Sequence, residues 1–266
     1  IGGAVIEING IEYHLTKNDG ENNLHSGLDF YHGRMWKVAD ADDTHVTFEM
    51  DSPEGDQGYP GALVMKVTYS LDEENTLMIH YEAEPDQDTI INMTNHSYFN
   101  LNGHKSGDIL NHTLWLNADA FTPADAASIP TGEIRSVEGT PMDFRIDKTI
   151  GKDIEADYEP LVFGKGYDHN WVLKNEGEFD KVAEVAGDES GIHMSVLTDL
   201  PGVQIYTANF LDGVKGRDGA VYEMRDAICL ETQYYPDAIH HENFPGPICK
   251  KGEKYDTRTA YRFRVK

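Results

Sequence analysis

The 266-residue chain carries a formal charge of −25, and 39% of its residues are hydrophobic. This excess of acid opposes binding to nucleic acid or to an anionic membrane surface, and the apolar share is sufficient for a large core. There is no run of about 18 apolar residues, so no membrane-spanning helix is expected. The two cysteines have no zinc-motif spacing and are too few for a disulfide framework, which indicates a reduced, cytoplasmic setting.

Short strands are predicted from the start of the chain. Val5 to Ile8 alternates apolar and polar residues, Asn9-Gly10 is a strong hairpin signal, and 11–15 is the return strand. Further strands are predicted at 35–38, 46–50, 63–71 and 76–83. A run of strand formers at 89–93 is predicted to lead, as a strand, into the polar stretch that contains His96.

The second half of the chain continues this pattern. Residues 118–144 contain several prolines and glycines and are predicted as a long connection, and 150–158 as one short helix. No segment keeps a helical apolar period over three turns. Strands are predicted at 113–116, 169–173, 181–185, 193–198, 203–208, 227–232 and 260–265. The pattern predicts one all-β domain over residues 1–266, an antiparallel sandwich or barrel.

Two titratable residues are candidates for acid–base chemistry. His96 lies in TNHSYFNLNG, beside hydroxyl, aromatic and amide side chains, and its imidazole titrates near neutral pH. Glu231 ends an apolar stretch, where partial burial would raise its pKa and make it a usable base or acid. Residue type alone leaves two other interpretations open, a structural histidine and a solvated or salt-bridged glutamate.

Other polar residues are candidates for binding a ligand. Asp168 and His169 are adjacent in a predicted strand, so only one of them is expected to face a shared site. Gln204 lies in another strand and His25 in a polar turn, and each is by itself an ordinary polar residue. Aromatic side chains near these stretches suit a sugar. Nucleotide-binding loops, the serine-hydrolase elbow and metal-ligand spacings are absent from the sequence, so neither a cofactor nor a metal is expected.

Five separated segments carry a family resemblance. NHSYFNL, GYDHNW, GVQIYTAN and LETQYYPDA, in this order, resemble the aldose 1-epimerases, the galactose mutarotase family. NNLHSG near the start resembles that family's LHGG segment. The resemblance covers essentially the whole chain. It implies a large antiparallel β-sandwich, the galactose mutarotase-like supersandwich, that interconverts the α and β anomers of free hexoses without a cofactor.

The resemblance also implies residue roles. Glu231 corresponds to the general base that takes the proton from the anomeric hydroxyl, and His96 to the general acid that protonates the ring oxygen. His25, Asp168 and Gln204 correspond to residues that hold the sugar hydroxyls. One carboxylate and one imidazole on opposite sides of the ring are sufficient, and each proton transfer is typically worth about 10²–10⁴ in rate. With an ionised base and a protonated acid, a bell-shaped pH profile is expected.

The chain departs from the family pattern at its start. An Asn-Arg pair that contacts the sugar in the family falls just before the match to Ile1. We therefore expect that the sandwich lacks its first strands and that the chain alone is weakly active or inactive. Ser26 replaces a usual glycine, and His240 stands where the family often has asparagine.

Two other functions stay open beside the action on a small-molecule aldose. A hexose-6-phosphate 1-epimerase needs cationic groups for the phosphate, and the basic residues of this acidic chain are scattered. A non-catalytic carbohydrate-binding protein is the other alternative, because a fold does not fix a function.

Overall fold

A computed structural model describes residues 1–265, and it is almost entirely built from strands. The chain forms two compact units. The first contains Ile1–Asp72, Leu77–Met93 and Pro236–Arg258, and the second contains 73–76, 94–235 and 259–265. The protein is all-β with antiparallel sheets, as predicted. No helix within the described residues is long and apolar enough to cross a bilayer. That 1–266 form one domain stays a prediction.

The first part of the chain is a series of antiparallel hairpins. The turn Asn9-Gly10 joins β1 to β2, and both of its residues have positive φ, 54° and 76°, as this tight turn requires. Strands β3 to β6 pair in sequence order. The strands are β1 (Val5–Ile8), β2 (Ile11–His14), β3 (Lys37–Ala41), β4 (His45–Ser52), β5 (Leu63–Leu71), β6 (Thr76–Pro85) and β7 (Thr89–Ile90).

The rest of the chain adds thirteen strands and one short α-helix within the described residues. These are β8 (Thr113–Leu116), β9 (Ala118–Thr122), β10 (Arg135–Ser136), β11 (Lys148–Thr149), α1 (Glu159–Gly164), β12 (Asp168–Leu173), β13 (Asp180–Ala186), β14 (Ile192–Thr198), β15 (Gly202–Tyr206), β16 (Val214–Lys215), β17 (Val221–Tyr222), β18 (Cys229–Gln233), β19 (Ile248–Cys249) and β20 (Tyr255–Val265). Single 3-10 turns lie at Gly2–Ala4, Tyr31–Gly33, Asp56–Gly58, Ile150–Lys152, Arg217–Gly219 and Ala238–His240.

The second unit contains a sandwich of two antiparallel sheets. One sheet has the order β10-β9-β12-β15-β18; the other has β11-β8-β13-β14, followed by residues 259–265 of β20. The Tyr261 hydroxyl joins them by donating to the Leu230 carbonyl at 3.0 Å, and the Thr232 and Thr259 hydroxyls bond to each other. Since side chains alternate along a strand, Leu230 and Thr232 face the core and their neighbours on β18 face away from it.

The segment before His96 is not the strand that was predicted. Strand β7 covers only Thr89–Ile90, where it pairs with the two residues of β19, and residues 91–98 have no regular structure. A strand extends only as far as its partner does, because the backbone groups beyond it need other hydrogen bonds. His96 therefore lies on an irregular segment, and the predicted strand ending at His96 is wrong.

Two further boundaries differ from the prediction. The connection predicted at 118–144 begins as strand β9, because residues 118–122 find a partner in β12 despite the later prolines. The helix predicted at 150–158 is instead α1, Glu159–Gly164, with a single 3-10 turn at Ile150–Lys152. Pro160 lies in the first turn of α1, where its missing N–H costs no hydrogen bond.

Candidate active site

Four polar residues form a row across the face of the five-stranded sheet that points away from the sandwich core. Glu231 on β18 lies opposite Gln204 on β15 in the register, and Gln204 lies opposite Asn170 on β12. Thr122 on β9 lies opposite Asn170 on its other side. Residues directly opposite on antiparallel strands have side chains on the same face. The sheet therefore aligns an acid, two amides and a hydroxyl.

Asp168 is joined to this row by a hydrogen bond. The Gln204 Nε2 donates to Asp168 Oδ1 at 2.7 Å, so the carboxylate sets the orientation of the amide. Burial raises the pKa of Asp168 to about 6, against the opposing effect of the bond from Gln204. His169 points into the core, with its ring edge-on to Phe121 and Trp171. Of the two adjacent residues, only Asp168 shares a sheet face with Gln204 and Glu231, as the alternation of side chains predicted.

Glu231 is a buried carboxyl group with a strongly perturbed pKa. Its residue is 5% exposed, and burial, followed by the nearby charge of Asp168, raises its pKa to about 8. The direction agrees with the prediction made from the apolar stretch before it. A group with this pKa exchanges a proton readily near neutral pH, which is what a general acid or base requires.

His96 lies directly beside Glu231. Its Nε2 is 3.5 Å from Glu231 Oε1, and 35% of its side chain is exposed, so the pair is open to solvent on the imidazole side. The imidazole stacks on the Tyr98 ring, with centroids 5.1 Å apart, and the Tyr206 ring meets it edge-on at 6.0 Å. Two aromatic rings therefore fix the orientation of the imidazole beside the buried carboxyl group.

Backbone pairing to the start of β18 holds the His96 segment in place. The Phe99 N–H donates to the Ile228 carbonyl at 2.8 Å, and the Ile228 N–H donates back at 2.9 Å. The Asn100 Nδ2 donates to the Asp226 carbonyl at 3.0 Å. Because Ile228 directly precedes β18, which carries Glu231, these bonds bring together two residues that are far apart in the sequence.

His112 is a supporting residue that the sequence interpretation missed. It is fully buried, and its Nε2 accepts the Leu101 N–H at 3.0 Å. Its Nδ1 lies 3.3 Å from the Asp188 carboxylate, so the neutral ring carries its proton on that side. Burial lowers the pKa of His112 and keeps the ring neutral, although Asp188 acts in the opposite direction. A histidine directly before a short strand gives no sign of this in the sequence.

Cys229 is a second residue that the sequence interpretation left aside. It lies two positions before Glu231 on β18, and that spacing places both side chains on the same face of the sheet. Cys229 is fully buried, and burial, with the charges of Glu231 and Asp168, raises the pKa of its thiol. The alternation rule applied to CLET would have found this proximity.

His25 lies in the first unit. It is an exposed residue with φ of 48°, and its ring meets Phe30 edge-on at 6.5 Å. Its predicted part in sugar binding stays a prediction.

The candidate acid–base pair converges on one point, because His96 Nε2 lies 3.5 Å from Glu231 Oε1. That the two groups act on a bound sugar from opposite sides of its ring stays a prediction. Convergence suits hemiacetal chemistry, because the anomeric oxygen O1 and the ring oxygen O5 are both bonded to C1.

The aromatic residues near the predicted motifs divide into two groups. Trp171, Tyr235 and Phe244 are buried, whereas Tyr98 is 48% exposed. Tyr98 is therefore the ring beside His96 that is available to an apolar sugar face.

Comparison with known proteins identifies the family. The sequence model of the family described as aldose 1-epimerase matches residues 1–262. The chain belongs to the aldose 1-epimerase family. The human galactose mutarotase is 41% identical over 263 residues, which cover 98% of this chain and 75% of that protein. The aldose 1-epimerase of Escherichia coli K12 is 38% identical over 252 residues, which cover 94% of this chain and 72% of the relative.

Solved structures of aldose epimerases have the same fold. A GalM/aldose epimerase homologue from C. elegans superposes with a TM-score of 0.91 at 30% identity, covering 100% of this chain and 79% of that one. The galactose 1-epimerase of Lactobacillus acidophilus NCFM superposes with a TM-score of 0.86 at 27% identity, covering 99% of this chain and 76% of that one. The predicted galactose mutarotase-like sandwich is confirmed.

Proposed function

We propose that this member of the aldose 1-epimerase family is a mutarotase that interconverts the α and β anomers of a free hexose, with galactose as the first candidate. The protein is an isomerase acting on carbohydrates, as its family membership indicates. The observation that carries the assignment of its chemistry is the pair at the sheet face, with Glu231 Oε1 3.5 Å from His96 Nε2. The roles of the individual residues are our proposal.

The proposed reaction moves two protons and breaks one bond of the ring. The ionised Glu231 takes the proton from the O1 hydroxyl while the protonated His96 gives a proton to O5. The C1–O5 bond breaks, and C1–O1 becomes the carbonyl of the open-chain aldehyde. After rotation about C1–C2, O5 attacks the other face of C1 and returns its proton to His96, and O1 recovers its proton from Glu231. Each residue ends in its starting state, so no cofactor is consumed.

Electrostatics supports this assignment of acid and base. Burial and Asp168 disfavour the charged form of Glu231, and a protonated imidazole 3.5 Å away favours it. Ionised Glu231 is therefore best stabilised when His96 carries the second proton, which is the state that the reaction needs.

Gln204 and Asp168 are proposed to hold the sugar hydroxyls. They are joined by a hydrogen bond on the same sheet face as Glu231, so a hydroxyl group of the bound sugar meets a carboxylate acceptor and an amide together. His25 is proposed as a further sugar ligand, and a cytoplasmic setting is proposed from the two free, buried cysteines.

The test follows the optical rotation of freshly dissolved α-D-galactose. The chain is expected to accelerate the approach to anomeric equilibrium weakly, and Glu231→Gln to reduce that catalysed rate by about 10²–10⁴ because the proton acceptor is lost. His96→Gln is expected to have a similar effect. The double variant should be little worse than either single one, since the two residues act in one concerted step.

Glu184→Gln provides the matched control. Glu184 is a partly buried glutamate on β13 of the same unit, bonded to Lys181 and His193. Its substitution should leave the rate of the folded chain unchanged. A Glu231→Gln variant as active as this control would refute the role of Glu231.

The same assay separates the two alternatives. Faster turnover of glucose 6-phosphate than of galactose would identify a hexose-6-phosphate 1-epimerase. Binding of galactose, measured by calorimetry, without faster anomer exchange would identify a carbohydrate-binding protein.

A further inference from the structure

The proposed catalytic pair has a third potential ligand beside it. One donor atom from each of His96, Cys229 and Glu231 can be chosen so that all three atoms lie within 4.8 Å of one another. The thiol and the carboxyl group come from alternate positions of β18, and the imidazole comes from the segment anchored at the start of that strand. The proposed mechanism uses the imidazole and the carboxyl group and leaves the thiol without a role.

Imidazole nitrogen, thiolate sulfur and carboxylate oxygen are the ligand types that Zn²⁺ binds in proteins. A zinc site often has three such ligands plus one open position. With metal–ligand bonds of about 2.0 Å to nitrogen and oxygen, a tetrahedral site separates these two atoms by about 3.3 Å. The observed distance from His96 Nε2 to Glu231 Oε1 is 3.5 Å, so these two atoms need almost no movement.

The charge and access of the site also suit a cation. Asp168, which accepts a hydrogen bond from Gln204 Nε2 at 2.7 Å, lies on the same sheet face as Glu231, so two carboxyl groups face this position. A divalent cation supplies positive charge at this position and favours the ionised carboxylates. The imidazole is the exposed member of the cluster, whereas the thiol and the carboxyl group are buried, so an ion and a fourth ligand would reach the site from the imidazole side.

We propose that a thiophilic divalent cation, such as Zn²⁺ or Cd²⁺, binds to His96, Cys229 and Glu231 and inhibits the protein. Binding forms a metal–sulfur bond, and the thiol proton leaves to solvent with no change of oxidation state. The ion occupies the imidazole nitrogen and the carboxylate oxygen that the reaction needs for its protons, so it competes with the sugar. The inhibition rests on the proposed function, whereas the binding site does not.

The binding test uses Cd²⁺ and needs no catalytic activity. The protein is titrated with Cd²⁺ in a buffer that contains no thiol reductant. The ultraviolet absorption band of the cadmium–thiolate bond is expected to grow until one Cd²⁺ per chain has been added. Cys249→Ser, the matched control at the other buried thiol, should retain the band, and Cys229→Ser should lose it. A band that follows Cys249 instead, or no band in the wild-type chain, would overturn the proposal. Cys229→Ala gives the same test if the serine variant does not fold.

A further variant distinguishes a three-ligand site from a single reactive thiol. His96→Asn keeps Cys229 but removes the imidazole, so the band should need at least about tenfold more Cd²⁺, given that even indirect partners of metal ligands change affinity 10–100-fold. An unchanged Cd²⁺ affinity would show that the thiol binds alone and would refute the site.

The kinetic test then measures inhibition by Zn²⁺. Inhibition should be competitive with galactose and reversed by EDTA, and Cys229→Ser should need at least about tenfold more Zn²⁺, each variant being compared with its own rate in EDTA. If the wild-type chain does not accelerate mutarotation, no inhibition can be measured, and the Cd²⁺ result still decides the site. Equal Zn²⁺ sensitivity of the wild type and Cys229→Ser would overturn the inhibitory role.

Discussion

Replacing Glu231 by glutamine removes the proposed catalytic base, but it is expected to make the folded chain more stable than the wild type. This difference in stability should increase as the pH rises. The folded-state pKa of Glu231 is about 8, above its ordinary value of 4.5, because the group is buried and close to Asp168. Between these two pH values the folded chain holds a proton that the unfolded chain releases. Stability therefore falls as the pH rises through this window, and glutamine, which stays neutral, avoids the loss.

The magnitude follows from the size of the shift. A difference of about 3.5 pKa units corresponds to about 5 kcal/mol at 1.36 kcal/mol per unit. A protonated His96 at 3.5 Å offsets part of this cost, so we expect Glu231→Gln to gain about 2–5 kcal/mol near pH 8 and nothing below about pH 4.5.

The assay is urea unfolding of the wild-type and variant chains at about pH 5, 6.5 and 8. The difference between their free energies of unfolding should grow across this series, and thermal midpoints should follow the same order. A difference that is the same at all three pH values, or a variant that is less stable at pH 8 than at pH 5 relative to wild type, would refute the electrostatic account.

Glu184→Gln is a control for which the expected change in the free energy of unfolding has the opposite sign. Burial alone would raise the pKa of Glu184, but bonds from Lys181 and His193 lower it to about 2. The ionised form therefore stabilises the folded chain above about pH 4.5, and this stabilisation is lost as the pH falls toward 2. Glu184→Gln should destabilise the chain near pH 8, where Glu231→Gln stabilises it.

Three other variants test separate parts of the site. Asp168→Asn removes a charge that raises the pKa of Glu231, the proposed catalytic base, so the rise of kcat/KM should move to lower pH, and an unmoved profile would contradict the effect of Asp168 on that pKa. His112→Ala leaves the buried Leu101 N–H without its acceptor and should cost about 1–3 kcal/mol in urea unfolding, whereas a loss below about 0.5 kcal/mol would refute its anchoring role. Gly202→Ala places a methyl group against the Asn170 amide oxygen and should destabilise the chain by about 1–3 kcal/mol, which thermal unfolding can detect or exclude.

The strand pattern was predictable where it depends on local sequence. Strands at 5–8, 63–71 and 113–116 lie where the alternation of side chains and the turn residues place them. The hairpin at Asn9-Gly10 needs only two residues that tolerate positive φ. The strand prediction for residues 89–93 was wrong in its length. The residue types favour a strand, but the partner strand, β19, is only two residues long.

The sequence by itself determined the all-β class, the family and the residues of the proposed site, because these depend on residue types, two-residue alternation and motif order. It also contains the rule that places Cys229 beside Glu231, since alternate positions of one strand share a face. Only the tertiary structure decided that His96 lies 3.5 Å from Glu231, because pairing of Phe99 with Ile228 closes that distance. It also decided the pKa of about 8, because burial and the proximity of Asp168 arise only when β12, β15 and β18 pair.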